Sequence, residues 1–187
     1  GRGGAIDNLR IALIGDLRSG RTVHSLCKLL TLFQGLKVHL ISPAELRMPG
    51  DIVEAMRAAG HEVTETDELE THIAHVDIAY STRIQEERFG SPEEADLYRG
   101  RFRLNQNIYT QNCEPNTVIM HPLPRDSRAE ANELDNDLND NPNLAIFRQT
   151  DNGVLVRMAL FAMVLDVVEQ VDSEARDVNW YTGSRFQ

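Results

Sequence analysis

Three short segments of this chain gather the side chains best suited to gripping a small anion. The first reads Gly15-Asp16-Leu17-Arg18-Ser19-Gly20-Arg21-Thr22-Val23-His24-Ser25. It has neither the G-x-G-x-x-G dinucleotide spacing nor the G-x-x-x-x-G-K-[ST] phosphate loop, because Arg21 and Thr22 follow Gly20. Nucleotide binding is therefore demoted. What remains is an arginine at a helix start, where the helix dipole favours anions and a guanidinium can hold a carboxylate through two parallel hydrogen bonds. Taken alone, an arginine in such a place is more often a surface ion-pair residue.

The second segment, Ser81-Thr82-Arg83-Ile84-Gln85-Glu86-Glu87-Arg88, leaves an apolar strand-like run. Arg83 and Gln85 stand two apart on extended chain and share a face. A cation and an amide projecting together suit a carboxylate, and Glu87 is placed to pair with Arg83 and orient it. A plain charged surface turn explains the same residues about as well. The third segment is His121-Pro122-Leu123-Pro124-Arg125. Prolines at alternate positions hold the backbone extended and remove two N–H donors, which leaves carbonyl oxygens to face a ligand N–H group. His121 reads either as an acid or base or as a structural imidazole bonded to backbone. A cis X-Pro bond is expected in this loop.

The elements around these segments point to an α/β fold. Arg10–Gly15 is an apolar β-type run, and 21–33 carries apolar residues at helical spacing. The unit recurs, with strands at Lys37–Ile41, 61–64, 76–80 and 117–120 and a helix over 48–59 that has Pro49 near its first turn. Alternation of this kind predicts a three-layer, Rossmann-like sandwich around a mainly parallel sheet. Ligands bind such sheets beyond the carboxyl ends of the strands, where the three segments fall. Residues 81–112 read as a long polar loop with short helical pieces, and 81–100 as a mobile lid with little to pack against. The acidic stretch 129–143 reads as a solvated connection. From residue 150 a terminal helix is predicted, with Val154, Met158, Phe161, Leu165 and Val168 along one stripe.

Composition narrows the partners. Hydrophobic residues are 41% and charged residues 26% of the 187, the balance of a packed chain rather than a disordered one. This length suits one domain. The net charge of -10 repels nucleic acid and anionic lipid surfaces, so an anionic ligand needs a few concentrated arginines. The most apolar stretch, 154–168, contains Arg157 and Asp166 and is too short to span a membrane. Cys27 and Cys113 lack disulfide-framework or metal-ligand spacing and read as buried thiols of a reducing cytoplasm. Gly1-Arg2-Gly3-Gly4 has no apolar h-region.

Together, GDLRSGRTVHSL, STRIQEER and MHPLPR, in this order and spacing, resemble the aspartate carbamoyltransferase family over about 7–166. That family joins a carbamoyl-phosphate-binding first domain to an aspartate-binding second domain, with the active site between them and completed by a neighbouring subunit of a trimer. The resemblance implies that 1–187 is the second domain and that the first is absent. The family's Ser-Thr-Arg-Thr-Arg phosphate loop has no counterpart here, since Ser81-Thr82-Arg83 continues as Ile84-Gln85. By matching motif, the resemblance gives Arg21 and Arg83 the two carboxylates of aspartate, with Gln85 assisting. It gives Pro122 and Leu123 backbone carbonyls facing the NH2 of carbamoyl phosphate, with Glu87, His121, Pro124 and Arg125 supporting. It implies no metal or cofactor, a homotrimeric full-length parent, a regulatory chain as a candidate partner, and an inactive chain on its own. Arg18-Ser19 departs from the lysine and aromatic residue common in relatives. The rival readings are an ornithine-type domain, for which a His-Cys-Leu-Pro loop would be expected, and a non-catalytic amino-acid-binding paralogue.

Overall fold

Strands form where aliphatic runs are short and bounded by turn residues. The computed structural model describes residues 6–126, 128 and 131–174. Its strands are β1 (Arg10–Gly15), β2 (Lys37–Ile41), β3 (Glu62–Thr66), β4 (Ile78–Thr82) and β5 (Val118–Met120). They make one sheet in the order β3-β2-β1-β4-β5, every pair parallel. Parallel neighbours need crossovers, and these carry α1 (Arg21–Leu30), α2 (Gly50–Ala58), α3 (Leu69–Ile73), α4 (Pro92–Asp96) and α5 (Gln106–Asn112).

Side-chain alternation assigns the two faces of the sheet. Ile11, Leu13, Val38, Leu40 and Tyr80 join Val23 and Cys27 of α1 and Ile52, Val53 and Met56 of α2 in one core. His39 points to the other face, where its ring lies 5.5 Å from that of His72 in α3. The result is the expected three-layer α/β sandwich. Ile11, Ala12, Leu13 and Ile14 are all buried, as a strand covered on both faces requires.

The chain order matters for the site. From β1 it moves to β2 and β3 on one side, then crosses back to β4 and β5 on the other. The switch point lies between β1 and β4, so the loops leaving Gly15 and Thr82 are neighbours. β5 pairs with β4 in turn and brings the third loop beside the second.

Several local expectations need correction. β4 begins at Ile78 rather than 76 and runs through Ser81 and Thr82, which pair with Ile14 and Gly15. Asp77, just before it, accepts the Arg10 N–H at 2.8 Å, so the register is pinned by a carboxylate that the apolar pattern does not reveal. β3 lies at Glu62–Thr66, later than the predicted 61–64. The 129–143 stretch is not simply solvated, since Asn132, Glu133, Leu134 and Leu138 are buried and Asn136–Asp140 forms a 3-10 turn.

The chain divides into two compact units, Gly1–Ala145 and Ile146–Gln187. In the second unit α6 (Ile146–Val164) starts before the predicted residue 150, and α7 (Val168–Glu174) follows it. Asp166 takes a left-handed φ of 54° between the two helices, so Leu165 and Val168 do not continue one helical stripe. Leu155, Val156, Leu160 and Met163 are exposed as well as Val154, Met158 and Phe161. α6 is thus apolar around most of its circumference.

Candidate functional site

The first loop is built around a buried acid. Gly15 closes β1 with φ 116°, and a Cβ there would stand 2.1 Å from the Thr82 carbonyl oxygen. Only glycine lets the β1 and β4 backbones come this close. Asp16 follows with no exposure. Its Oδ1 accepts the Ser19 N–H at 2.8 Å and its Oδ2 the Gln85 N–H at 3.4 Å. The Gln85 side-chain Nε2 donates to the Ser19 carbonyl at 3.0 Å. The first and second loops are therefore tied by both backbone and side chain.

This tie changes the reading of Gln85. Its amide nitrogen serves the first loop, which leaves Oε1 as the atom available to a ligand. Arg21 is the first residue of α1 and is exposed, and the first turn of that helix holds no acidic residue and no side-chain cap. The positive end of α1 is accordingly not neutralised by its own side chains. His24 bonds the Leu17 carbonyl at 2.8 Å and holds the loop against the helix.

Arg83 follows the last residue of β4 and is half-buried. Its positive charge reaches Asp126 in the third loop. The Asp126 carboxyl is held at about 2, mainly by its hydrogen bond to Arg128 and in smaller part by Arg83. Glu87 lies in the 3-10 turn Glu86–Arg88, and its side chain is outside the described residues. Glu86, beside it, accepts from Arg99 Nε at 2.7 Å and Nη2 at 2.8 Å, and from Arg128 Nη2 at 2.6 Å. Phe89 stacks on Tyr98 with centroids 5.6 Å apart, and Ala95 is fully buried. Within the 81–100 segment Glu86, Phe89 and Arg99 thus have partners and Ala95 is buried, while Arg88 and Leu97 are exposed. A cavity of about 550 Å³ adjoins it, lined by Arg18, Ser19, Arg88, Phe89 and Tyr98 among others.

The third loop is built around the His121 ring. The ring is 1% exposed. Its Nδ1 accepts the Leu123 N–H at 2.9 Å, and its Nε2 lies 2.8 Å from Glu133 Oε1. Nδ1 must then offer a lone pair, so the proton sits on Nε2 and faces Glu133. The ring thereby holds the backbone of its own loop. Leu123 takes φ 55° and precedes a cis bond to Pro124, the isomer expected in this loop. Pro122 and Leu123 are half-buried and Pro124 is exposed. Arg125 turns towards the 136–140 turn, donating to the Asp135 carbonyl at 3.4 Å and to Asn139 Oδ1 at 3.0 Å. It braces the loop.

The fold thus brings the loops of Arg21, Gln85 and Arg83 together and sets Pro122 and Leu123 beside them. Asp16, Glu86, Asp126, Arg128 and Glu133 are the residues that sequence reasoning missed. A buried acid and a solvated one look alike in sequence, and only the position of Asp16 directly after an apolar strand was a signal. Among the described residues, no group of three or more His, Cys, Asp and Glu side chains could hold a metal ion, and no helix is long and apolar enough to cross a membrane.

Residues 7–164 match the family described as aspartate/ornithine carbamoyltransferase, Asp/Orn binding domain. The aspartate carbamoyltransferase catalytic subunit of Cellvibrio japonicus is 74% identical over 98% of this chain and 54% of its own length. That of Saccharophagus degradans is 70% identical over 99% of the chain and 55% of its own length. Among solved structures, the catalytic subunit of M. jannaschii aspartate transcarbamoylase superposes with a TM-score of 0.76 at 37% identity, covering 89% of this chain and 52% of that one. The Trypanosoma cruzi enzyme in complex with aspartate and phosphate gives 0.72 at 34% identity, covering 84% and 48%. The chain spans about half the length of the curated relatives it matches.

Proposed function

This chain belongs to the aspartate/ornithine carbamoyltransferase family, and from that premise we propose that it is the aspartate-binding domain of an aspartate carbamoyltransferase. The observation that carries the reading is the tie between Asp16, Ser19 and Gln85, which sets the loops of Arg21 and Arg83 side by side. Two guanidinium groups suit a dicarboxylate. They would repel the cationic side chain of ornithine, which argues against the ornithine-type reading.

In the proposed reaction the aspartate amine attacks the carbamoyl carbon. A new C–N bond forms, the bond from that carbon to the phosphate oxygen breaks, and phosphate leaves with its electron pair and takes up the proton that the amine gives up. Arg21 and Arg83 hold the carboxylates, Gln85 Oε1 accepts from the ligand, and the Pro122 and Leu123 carbonyls accept from the carbamoyl NH2. No residue here needs to become covalently attached. These groups act by fixing the nucleophile in line with the carbamoyl carbon and by opposing charge. The phosphate-gripping residues would come from a separate carbamoyl-phosphate-binding domain, and the complete enzyme is proposed as a homotrimer to which a regulatory chain is a candidate addition. A reducing, cytoplasmic setting suits the free thiols Cys27 and Cys113.

Calorimetric titration of this chain with L-aspartate, L-ornithine and succinate tests the reading. Binding of aspartate and succinate with no response to ornithine is expected. A preference for ornithine would overturn it.

A further inference from the structure

The acidic and basic residues flanking the proposed site are not independent surface charges. They form one continuous path. His121 pairs with Glu133, and Glu133 accepts the Asp126 N–H through both of its oxygens at 3.3 Å. Asp126 holds Arg128 through Nε at 3.0 Å and Nη2 at 2.5 Å. Arg128 Nη2 also reaches Glu86, which in turn holds Arg99 with two nitrogens on two oxygens. Arg99 then bonds Asp96 of α4. The path starts at the turn that contains Pro122 and Leu123 and ends in the segment that follows Arg83 and Gln85.

The Arg128 side chain joins both halves of that path, through Glu86 on one side and Asp126 on the other. The Asp126 and Glu86 side chains are only 14% and 22% exposed, so each pair is partly withdrawn from water. A single exposed pair is worth little, but shared charges with two-pronged geometry hold better than separate pairs do. Arg83, close enough for its charge to act on Asp126, lies next to this junction.

We infer that Arg128 is a positioning residue that locks the segment 83–99 onto the loop after β5, so that the two walls of the site are set by one another. The inference rests on the reading of the site given above. It deepens that reading by naming what couples the wall facing aspartate to the wall facing the carbamoyl group. Arg128 itself touches no substrate atom in this scheme. Lysine, with one point charge, cannot serve Asp126 and Glu86 together in the same planar geometry.

Amide hydrogen exchange on this chain tests the coupling. Arg128→Ala should speed exchange across residues 84–99 about tenfold, with Arg128→Lys giving little rescue. Glu86→Gln should loosen residues 121–126 although it lies in the other segment. Lys37→Ala, which removes an ion pair on β2, serves as the control and should leave both segments unchanged. Unchanged exchange at 84–99 in Arg128→Ala would overturn the inference, as would a rise spread equally over β1 and β2. Full rescue by lysine would also overturn it, by showing that a point charge is enough. An L-aspartate titration of the same variants separates this inference from the function. If the parent chain binds no aspartate, the proposed function fails while the exchange data still decide the coupling. If the parent binds and Arg128→Ala binds equally well despite looser loops, the positioning role is wrong.

Discussion

The Leu123 N–H donates to Nδ1 of His121, two residues before it, at 2.9 Å. A side chain at the end of β5 thus bends its own loop back over itself and fixes the turn in which the Pro122 and Leu123 carbonyls sit. The other ring nitrogen meets the buried Glu133. Deleting the imidazole leaves the Leu123 N–H and the buried Glu133 carboxylate without it, and each buried polar group left unsatisfied costs about 1–3 kcal/mol. His121→Ala is therefore expected to lower the unfolding free energy measured by urea titration by about that amount, while Glu133→Gln, which keeps an acceptor and removes the charge, should cost less. A His121→Ala chain as stable as the parent would mean that the imidazole does not hold this turn.

Gly15 offers a sharper test of the close approach between β1 and β4. Alanine there would need a left-handed backbone and would place its Cβ 2.1 Å from a carbonyl oxygen. The backbone conformation alone costs about 1–3 kcal/mol, and relief of the clash must push the two loops apart. Gly15→Ala should lower the melting temperature and weaken L-aspartate binding together. Loss of stability with unaltered binding would separate the strand contact from the site.

How much of this was legible in the sequence depends on what each residue type can disclose. Arg10–Gly15 is a short apolar run that ends in glycine, so a strand could be read directly, and the parallel sheet followed from the alternation of strands and helices. The loops of Arg21, Arg83 and His121 were placed correctly because they leave recognisable strands. Pairing was not legible. Glu86 and Glu87 are adjacent acids, yet nothing local says that Glu86 meets Arg99 and Arg128, which lie 13 and 42 residues away. The 81–100 segment looked loose for the same reason, since its charges read as solvated until the fold supplied their partners. Glu133 stood in an acidic, Asn-rich run, and its burial against His121 comes from tertiary packing that no local pattern encodes.

The two junction carboxylates also set a pH expectation. Glu86 and Asp126 ionise at about 2 in the fold, against ordinary values of 4.5 and 3.8, chiefly because of their hydrogen bonds to Arg99 and Arg128. A carboxyl group with a lowered folded value stabilises the fold above its ordinary value and loses that contribution as the pH falls towards the folded one. The junction should therefore persist from neutrality to about pH 4 and break between about 4 and 2. Carboxyl carbon-13 titration should show both midpoints below 3, and midpoints near the ordinary values would mean that the pairs do not form in solution.

Removal of Arg83 should act on the ligand rather than on the fold. Its side chain is half-buried after β4, and truncating one member of a hydrogen-bonded charge pair typically costs about 2–5 kcal/mol. Arg83→Ala should abolish measurable L-aspartate binding to this chain. Within a protein that also carries a carbamoyl-phosphate-binding domain, it should raise the aspartate KM and lower kcat together. Unchanged kinetics at subsaturating aspartate would take this residue out of the site.

On its own, this chain should transfer no carbamoyl group. The step needs negative charge to be stabilised on the departing phosphate, and that demands several convergent donors at one point. The only Ser-Thr-Arg in the sequence is Ser81-Thr82-Arg83, and there Ser81 and Thr82 are buried within β4 while Arg83 belongs to the proposed carboxylate grip. With Arg21 and Arg83 proposed to hold aspartate, no arginine of the grip is left for phosphate, and the Pro122 and Leu123 carbonyls can accept but cannot donate to it. An assay with radiolabelled carbamoyl phosphate and saturating L-aspartate should give no product above the uncatalysed rate, and adding a separately prepared carbamoyl-phosphate-binding domain should restore turnover. Product formed in proportion to this chain alone would show that a phosphate grip exists within these 187 residues, and that the division of labour between two domains is wrong.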